Sequence, residues 1–170
     1  MKRRTARALA GAGAVAAAGT AWWALGRRPD PAEAALADLL TQRYEAPDGT
    51  PLALSRWQGR PLLLNFWATW CPPCVREMPE LDRFAREQGE AGVQVLAVAL
   101  DRPEAVRDFL ARTPVGFAVA VAGMDQLSRL SALGNPGGAL PFSLLASAEG
   151  RIRRRKLGAT QLDELRGWVG

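Results

Sequence analysis

Two sulfur atoms carry the chemistry this sequence offers. Its 170 residues include two cysteines, Cys71 and Cys74, and no histidine. The missing imidazoles exclude His-dependent triads, Cys-His nucleophiles and His metal ligands together. The pair stands in Trp70-Cys71-Pro72-Pro73-Cys74, directly after an apolar run at 62–67 that reads as a buried strand and directly before a stretch at 72–88 that reads as a helix. A cysteine at such a junction caps the helix, where unpaired backbone N–H groups and the positive dipole end favour thiolate over thiol. Cys74 follows one turn later on the same face, near enough to close a disulfide. Pro72 suits the first turn, because the N–H it lacks would have no helical partner there. The predicted chemistry is exchange: the Cys71 thiolate attacks a substrate disulfide, a mixed disulfide forms, and Cys74 resolves it. A purely stabilising bridge is the weaker reading, since closing so short a loop removes little unfolded-state entropy. A structural zinc needs four ligands, and two thiols without imidazole supply half of them, so no metal site is expected.

The elements that must hold this pair follow from the pattern of apolar runs and breakers. Residues 93–100 form a second short apolar run, as expected for strands buried on both faces of a parallel sheet. Helices are expected at 103–111 and 124–133, with a short strand at 117–121 between them. The C-terminal part reads as strand 142–146, turn 147–150, strand 151–157 and helix 161–169. Ahead of the cysteines, residues 44–46 and 51–54 flank Pro47-Asp48-Gly49 as a small hairpin. Strands alternating with helices and closed by a hairpin and a helix give an α/β fold with a central mixed sheet flanked by helices.

At 48% hydrophobic and 23% charged residues the chain can build a core, and its length suits one domain with an appendage. The net charge of +5 and pI near 10.2 suggest nucleic acid until the charges are located. Six of the 22 bases lie in residues 1–28, which hold no acid; the rest of the chain carries 16 bases against 17 acids. No whole-chain field for nucleic acid remains, and none is expected as a partner. The run from Ala8 to Gly26 is uncharged and flanked by bases, and as a helix it would span about 28 Å, close to one bilayer core. Residues 1–28 therefore read as a signal anchor or a removable signal peptide. Trp22 and Trp23 suit an interfacial belt, whereas Ala16-Ala17-Ala18 offers a cleavage site. Four bases before the run and two after it keep the N-terminus cytoplasmic and send the rest outward. Residues 29–42 read as a spacer with a short amphipathic helix, and 43–170 as the folded domain. Arg151 with Arg153 to Lys156 makes a basic late strand, read as a protected edge or as a contact for anionic lipid or an acidic partner.

The stretch Asn65-Phe66-Trp67-Ala68-Thr69-Trp70-Cys71-Pro72-Pro73-Cys74, followed by Glu77-Met78-Pro79, resembles the TlpA/ResA-like (DsbE-like) branch of the thioredoxin superfamily. The similarity runs from about Tyr44 to Val169, with Leu140-Pro141-Phe142-Ser143-Leu144-Leu145 and Glu149-Gly150-Arg151-Ile152 matching its proline-strand-turn-strand segment. The resemblance implies a thioredoxin-like fold with an N-terminal β-hairpin and a central αβ insertion near 115–133. It implies a thiol-disulfide oxidoreductase without cofactor, exported to the periplasmic side of the inner membrane or, if cleaved, soluble there. Its substrates would be disulfide-bearing exported proteins, with apocytochrome c before haem attachment as one case. Its electrons would come from a DsbD- or CcdA-like transmembrane donor.

By the same resemblance Cys71 is the attacking thiol, Cys74 the resolving thiol, and Pro141 a cis-proline beside the disulfide. A cis bond at Leu140-Pro141 would turn the chain sharply and expose backbone that an extended substrate can pair with. Pro136 is the rival proline, but no strand follows it immediately. Asn65 stands where thioredoxin carries a buried carboxylate, so proton transfer at Cys74 needs another group. Glu77, three residues after Cys74 and on its helix face, is either that group or a solvated surface acid. Trp70 and Pro72 would shape the rim of a substrate site with Leu140 and Pro141, while Trp67 can be core. Pro72 and Pro73 offer no imidazole and no backbone donor. The poise is therefore expected near thioredoxin's about −270 mV rather than the strong oxidant's about −120 mV. From a different class, the two thiols could instead serve a periplasmic copper-binding or metal-site assembly module, against which the absence of histidine counts. A thiol peroxidase would have no need of a second cysteine three residues on.

Overall fold

A strand buried on both faces needs a layer on each side, and Leu62–Trp67, six residues all buried, is such a strand. The computed structural model describes residues 30–169, so the expected membrane segment lies outside the described residues. Among the described residues, no helix is long and apolar enough to cross a membrane. The chain runs through α1 (Pro31–Leu39), β1 (Arg43–Glu45), β2 (Pro51–Ala53), a 3-10 turn (Leu54–Trp57), β3 (Leu62–Trp67), α2 (Pro72–Gln88) and β4 (Gln94–Ala99). It continues through α3 (Pro103–Arg112), β5 (Ala118–Val121), a second 3-10 turn (Met124–Gln126), α4 (Leu127–Ala132), β6 (Phe142–Ala146), β7 (Ile152–Leu157) and α5 (Leu162–Val169).

The strands form one mixed sheet in the order β2-β1-β5-β4-β3-β6-β7. β3, β4 and β5 are parallel. β6 is antiparallel to β3, and β7 to β6, so the polypeptide comes back toward the end of β3 where the cysteines begin. The hairpin of β1 and β2 joins the far side through an antiparallel contact with β5.

Successive strand residues face opposite sides, and β3 divides its side chains accordingly. Leu62, Leu64 and Phe66 enter a core with Leu36, Leu39, Leu54 and Trp57. Leu63 and Trp67 enter the other with Met78, Leu81, Phe84 and Leu165. Trp67 is fully buried, its ring 5.1 Å from that of Phe109.

Two elements differ from the pattern read in the sequence. The helix expected at 124–133 divides into the second 3-10 turn and a six-residue α4. Neither piece has a side-chain N-cap, so the first-turn amides lack the partner that would favour one continuous helix. The residues read as a spacer carry α1, which belongs to the folded unit beginning at Pro31. Its Leu36 and Leu39 and the following Leu40 are buried in the first core. Glu33 ties its first turn to β7, accepting from the Arg151 guanidinium at 3.1 Å and the Ile152 N–H at 3.2 Å. Leu36→Ala is expected to lower unfolding free energy by about 3 kcal/mol in chemical denaturation. A loss below about 1 kcal/mol would mean that α1 contributes little to the core.

Candidate active site

β3 ends at Trp67 and a short turn leads to the cysteines, with the Cys71 N–H donating to the Ala68 carbonyl at 3.3 Å. Cys71 then caps α2 in an extended conformation, φ −100° and ψ 100°, and its Sγ accepts the Cys74 N–H at 3.4 Å. The two prolines occupy the start of α2, where a missing N–H leaves no helical bond unmade. Cys71 and Cys74 are joined as a disulfide, their Cα atoms 5.3 Å apart. Cys71 keeps 5% exposure and Cys74 none, so an incoming group meets Cys71 first. Trp70, 56% exposed, and the exposed Pro72 stand at the rim.

The bond Leu140-Pro141 is cis, and it is Pro141 rather than Pro136 that carries this geometry. Phe66 pairs with Phe142, so Pro141 follows on at the end of the sheet where β3 gives way to the cysteine turn. Its carbonyl accepts the Gly158 N–H at 2.8 Å, and the half-buried Leu140 packs against the core patch that includes both cysteines. The loop leading there is held by Asn135, a fully buried residue that sequence reasoning did not single out. Its Nδ2 donates to the Ala139 carbonyl at 2.8 Å and its Oδ1 accepts the Ala139 N–H at 3.2 Å. An asparagine among glycines and a proline in Gly134-Asn135-Pro136-Gly137-Gly138 was the available signal.

Glu77 is not a surface acid: it is 1% exposed. Its Oε1 accepts from Asn65 Nδ2 at 2.8 Å, and its Oε2 from the Thr160 N–H at 2.8 Å and the Thr160 hydroxyl at 3.1 Å. Asn65 Nδ2 also donates to Ser143 Oγ at 3.0 Å, while Asn65 Oδ1 is buried without a partner. Burial pushes the Glu77 carboxyl up, against the Thr160 and Asn65 hydrogen bonds and the Lys156 charge, which pull it down. A cavity of about 540 Å³, lined in part by Glu77, Arg76, Glu80 and Thr160, lies beside it. Thr160 and Ser143 join this cluster from 83 and 78 residues away from their partners, and no local pattern marks either.

A helix-capping cysteine bridged to a buried partner one turn on, at the sheet end that also presents a cis-proline, is the arrangement of a thiol-disulfide oxidoreductase. Residues 33–166 match the Redoxin family, and the chain belongs to that family. It is 34% identical over 131 residues to the thiol-disulfide oxidoreductase ResA of Oceanobacillus iheyensis, covering 76% of this chain and 66% of that protein. With the thiol-disulfide oxidoreductase ResA of Bacillus cereus it shares 31% identity over 124 residues, covering 72% of this chain and 69% of that one. The chain thus spans about two thirds of the length of these relatives. Among solved structures it resembles a thioredoxin-related protein from Neisseria meningitidis serogroup B, with a TM-score of 0.67, 28% identity and coverage of 75% of this chain and 96% of that one. A secreted disulfide oxidoreductase of Mycobacterium tuberculosis described as homologous to DsbE has a TM-score of 0.64 and 25% identity, covering 76% and 95%. The fold is the thioredoxin fold.

Because folding raises the Glu77 pKa above its ordinary 4.5, the carboxyl favours the fold while protonated, and that stability drains as pH rises through the raised value. A Glu77→Gln variant has no such loss. Its urea midpoint relative to the parent is expected to climb between pH 4 and pH 8, whatever the offset at pH 4. A flat difference would mean that burial does not govern this carboxyl.

Proposed function

We propose that this protein is an exported reductant of protein disulfides, held at the outer face of the inner membrane by its N-terminal segment or released from it by cleavage. The observation that carries the exchange chemistry is the sulfur asymmetry at the α2 N-cap. Cys71 faces the rim with its Sγ on a first-turn amide, and Cys74 lies fully behind it. Cys71 attacks the substrate disulfide and forms the mixed disulfide, and the Cys74 thiolate then displaces the substrate thiol. Glu77, on the Cys74 face of α2, takes the Cys74 proton as that thiol becomes a nucleophile, and the neighbouring cavity gives the proton a way to solvent. Trp70, Pro72, Leu140 and Pro141 receive the extended segment that carries the substrate disulfide. The backbone before the cis-proline supplies the pairing edge.

The reducing direction is supported by the pair between the cysteines, Pro72-Pro73, which adds neither a positive side chain nor a donor to stabilise the Cys71 thiolate. Each turnover leaves Cys71-Cys74 oxidised, so a reductant working outside the cytoplasm must be recharged through the membrane. A DsbD- or CcdA-like donor fits that need. Apocytochrome c is one member of the substrate class. Phe142, after the proline, stands where the cytochrome-maturation branch carries an acid, so a broader or different clientele fits equally well.

A Cys74→Ser trap tests this reading. Mixed disulfides with exported proteins are expected to accumulate in the membrane fraction and to vanish when Cys71 is also replaced by Ser. No trapped partner, together with a Cys71-Cys74 bridge that stays oxidised in cells, would overturn it.

A further inference from the structure

Asp101 is a buried acid at the same end of the sheet that the exchange steps above do not use. The backbone ladder between β3 and β4 stops at Trp67 and Ala99, and one more bond runs from the Leu100 N–H to the Trp67 carbonyl at 2.9 Å. Beyond it the Asp101 carboxylate takes over. Its Oδ2 accepts the Thr69 N–H at 2.8 Å and the Thr69 hydroxyl at 2.6 Å, and its Oδ1 accepts the Arg102 N–H at 2.8 Å. Thr69 lies in the turn that delivers Cys71. Asp101 is 8% exposed, and among the described residues no cation pairs with it. The hydrogen bond to Thr69, two residues of chain at about 7 Å at most and the Cys71 side chain together keep this charge within about 13 Å of Cys71 Sγ. Asp101 and Cys71 are both buried, so salt screens this interaction less than it would one between exposed charges.

We propose that Asp101 is a positioning residue that sets the redox poise of the dithiol, fixing the Thr69 turn while its negative charge opposes the helix end that stabilises the Cys71 thiolate. The proposal rests on the reductant reading and deepens it. In exchange, the Cys71 thiolate pair forms the new S–S bond as the substrate S–S bond breaks, one substrate sulfur leaving as thiolate. The Cys74 thiolate then attacks Cys71 sulfur and the second substrate sulfur leaves, so two electrons pass from the dithiol to the substrate. Asp101 takes no proton in either step. It makes the starting thiolate costlier, and a dithiol whose thiolate is less stable gives up its electrons more readily. Other charged groups near this end include the buried Glu77 with the Lys156 charge acting on it, the exposed Arg76 two residues after Cys74, and the exposed Arg102 beside Asp101.

The full-length chain carries the test through Asp101→Asn and Asp101→Ser, each of which removes the charge and keeps an oxygen that can accept from Thr69. The pH dependence of Cys71 alkylation in the reduced protein reports its pKa, and equilibration with a glutathione buffer reports the poise. In both variants Cys71 is expected to become more acidic and the equilibrium to move about threefold to tenfold toward the dithiol. Thr69→Val, which drops one hydrogen bond and keeps the charge, is expected to move that equilibrium less than about threefold. Unchanged Cys71 acidity and poise in the neutral variants, with only a lower melting temperature, would overturn the proposal. So would a shift toward the disulfide, or a shift in Thr69→Val as large as in Asp101→Asn. A failure of the reductant reading shows separately, in a wild-type chain that traps no substrate.

Discussion

The catalytic end of this molecule depends on where β3 stops. Six consecutive buried residues hold that strand between two cores, and Trp67 locks its last position against Phe109. The turn of Ala68 to Trp70 has no freedom to wander from such an anchor, so Cys71 arrives at the start of α2 with its sulfur over the first-turn amide of Cys74. The neighbouring strands are in register with the same stopping point. β4 carries the backbone on to Asp101, and β6 begins immediately after Pro141, opposite the end of β3. One strand terminus therefore gathers the disulfide, the cis-proline and a buried carboxylate from three separate stretches of chain.

The α2 helix converts this placement into two unequal sulfurs. Its cap faces outward and its first turn faces the sheet, which leaves Cys71 within reach of a partner and Cys74 sealed. One turn further, the same buried face carries Glu77, an acid in a place where a charge is costly. Asn65, Thr160 and Lys156 offset part of that cost without cancelling it. The group that stays closest to giving or taking a proton at depth is thus placed on the face of the buried sulfur. At its edge of the sheet β7 keeps its bases largely at the surface, and two of its ties run to other elements: Lys156 to Glu164 and Arg155 Nε to the Leu133 carbonyl.

Much of this could be read in the chain beforehand, because each legible feature is local. Apolar runs bounded by breakers marked β3, β4 and β6. The strand, cysteine and proline order marked the helix cap; the cis turn was implied by the family resemblance, and the strand directly after Pro141 set it ahead of Pro136. Glu77 could be assigned to the face of Cys74 by its spacing, but spacing cannot say whether that face is wet or buried. The α1 residues had a helical pattern of leucines, and only the presence of a sheet face to receive Leu36 and Leu39 makes them core. Asn135, Thr160 and Asp101 act through individual hydrogen bonds, two, two and three respectively, which leave no periodic trace.

The sequence by itself determined the chemistry: two thiols and no imidazole, one turn apart after a buried strand, leave little but disulfide exchange. Tertiary structure decided how that chemistry is held. Which sulfur is sealed, which carboxyl is dry, and which distant residues bond to them depend on strand order and on contacts across 32 to 83 residues. Periodicity and local spacing report what faces a residue's own element; burial and charge compensation belong to whatever packs against it.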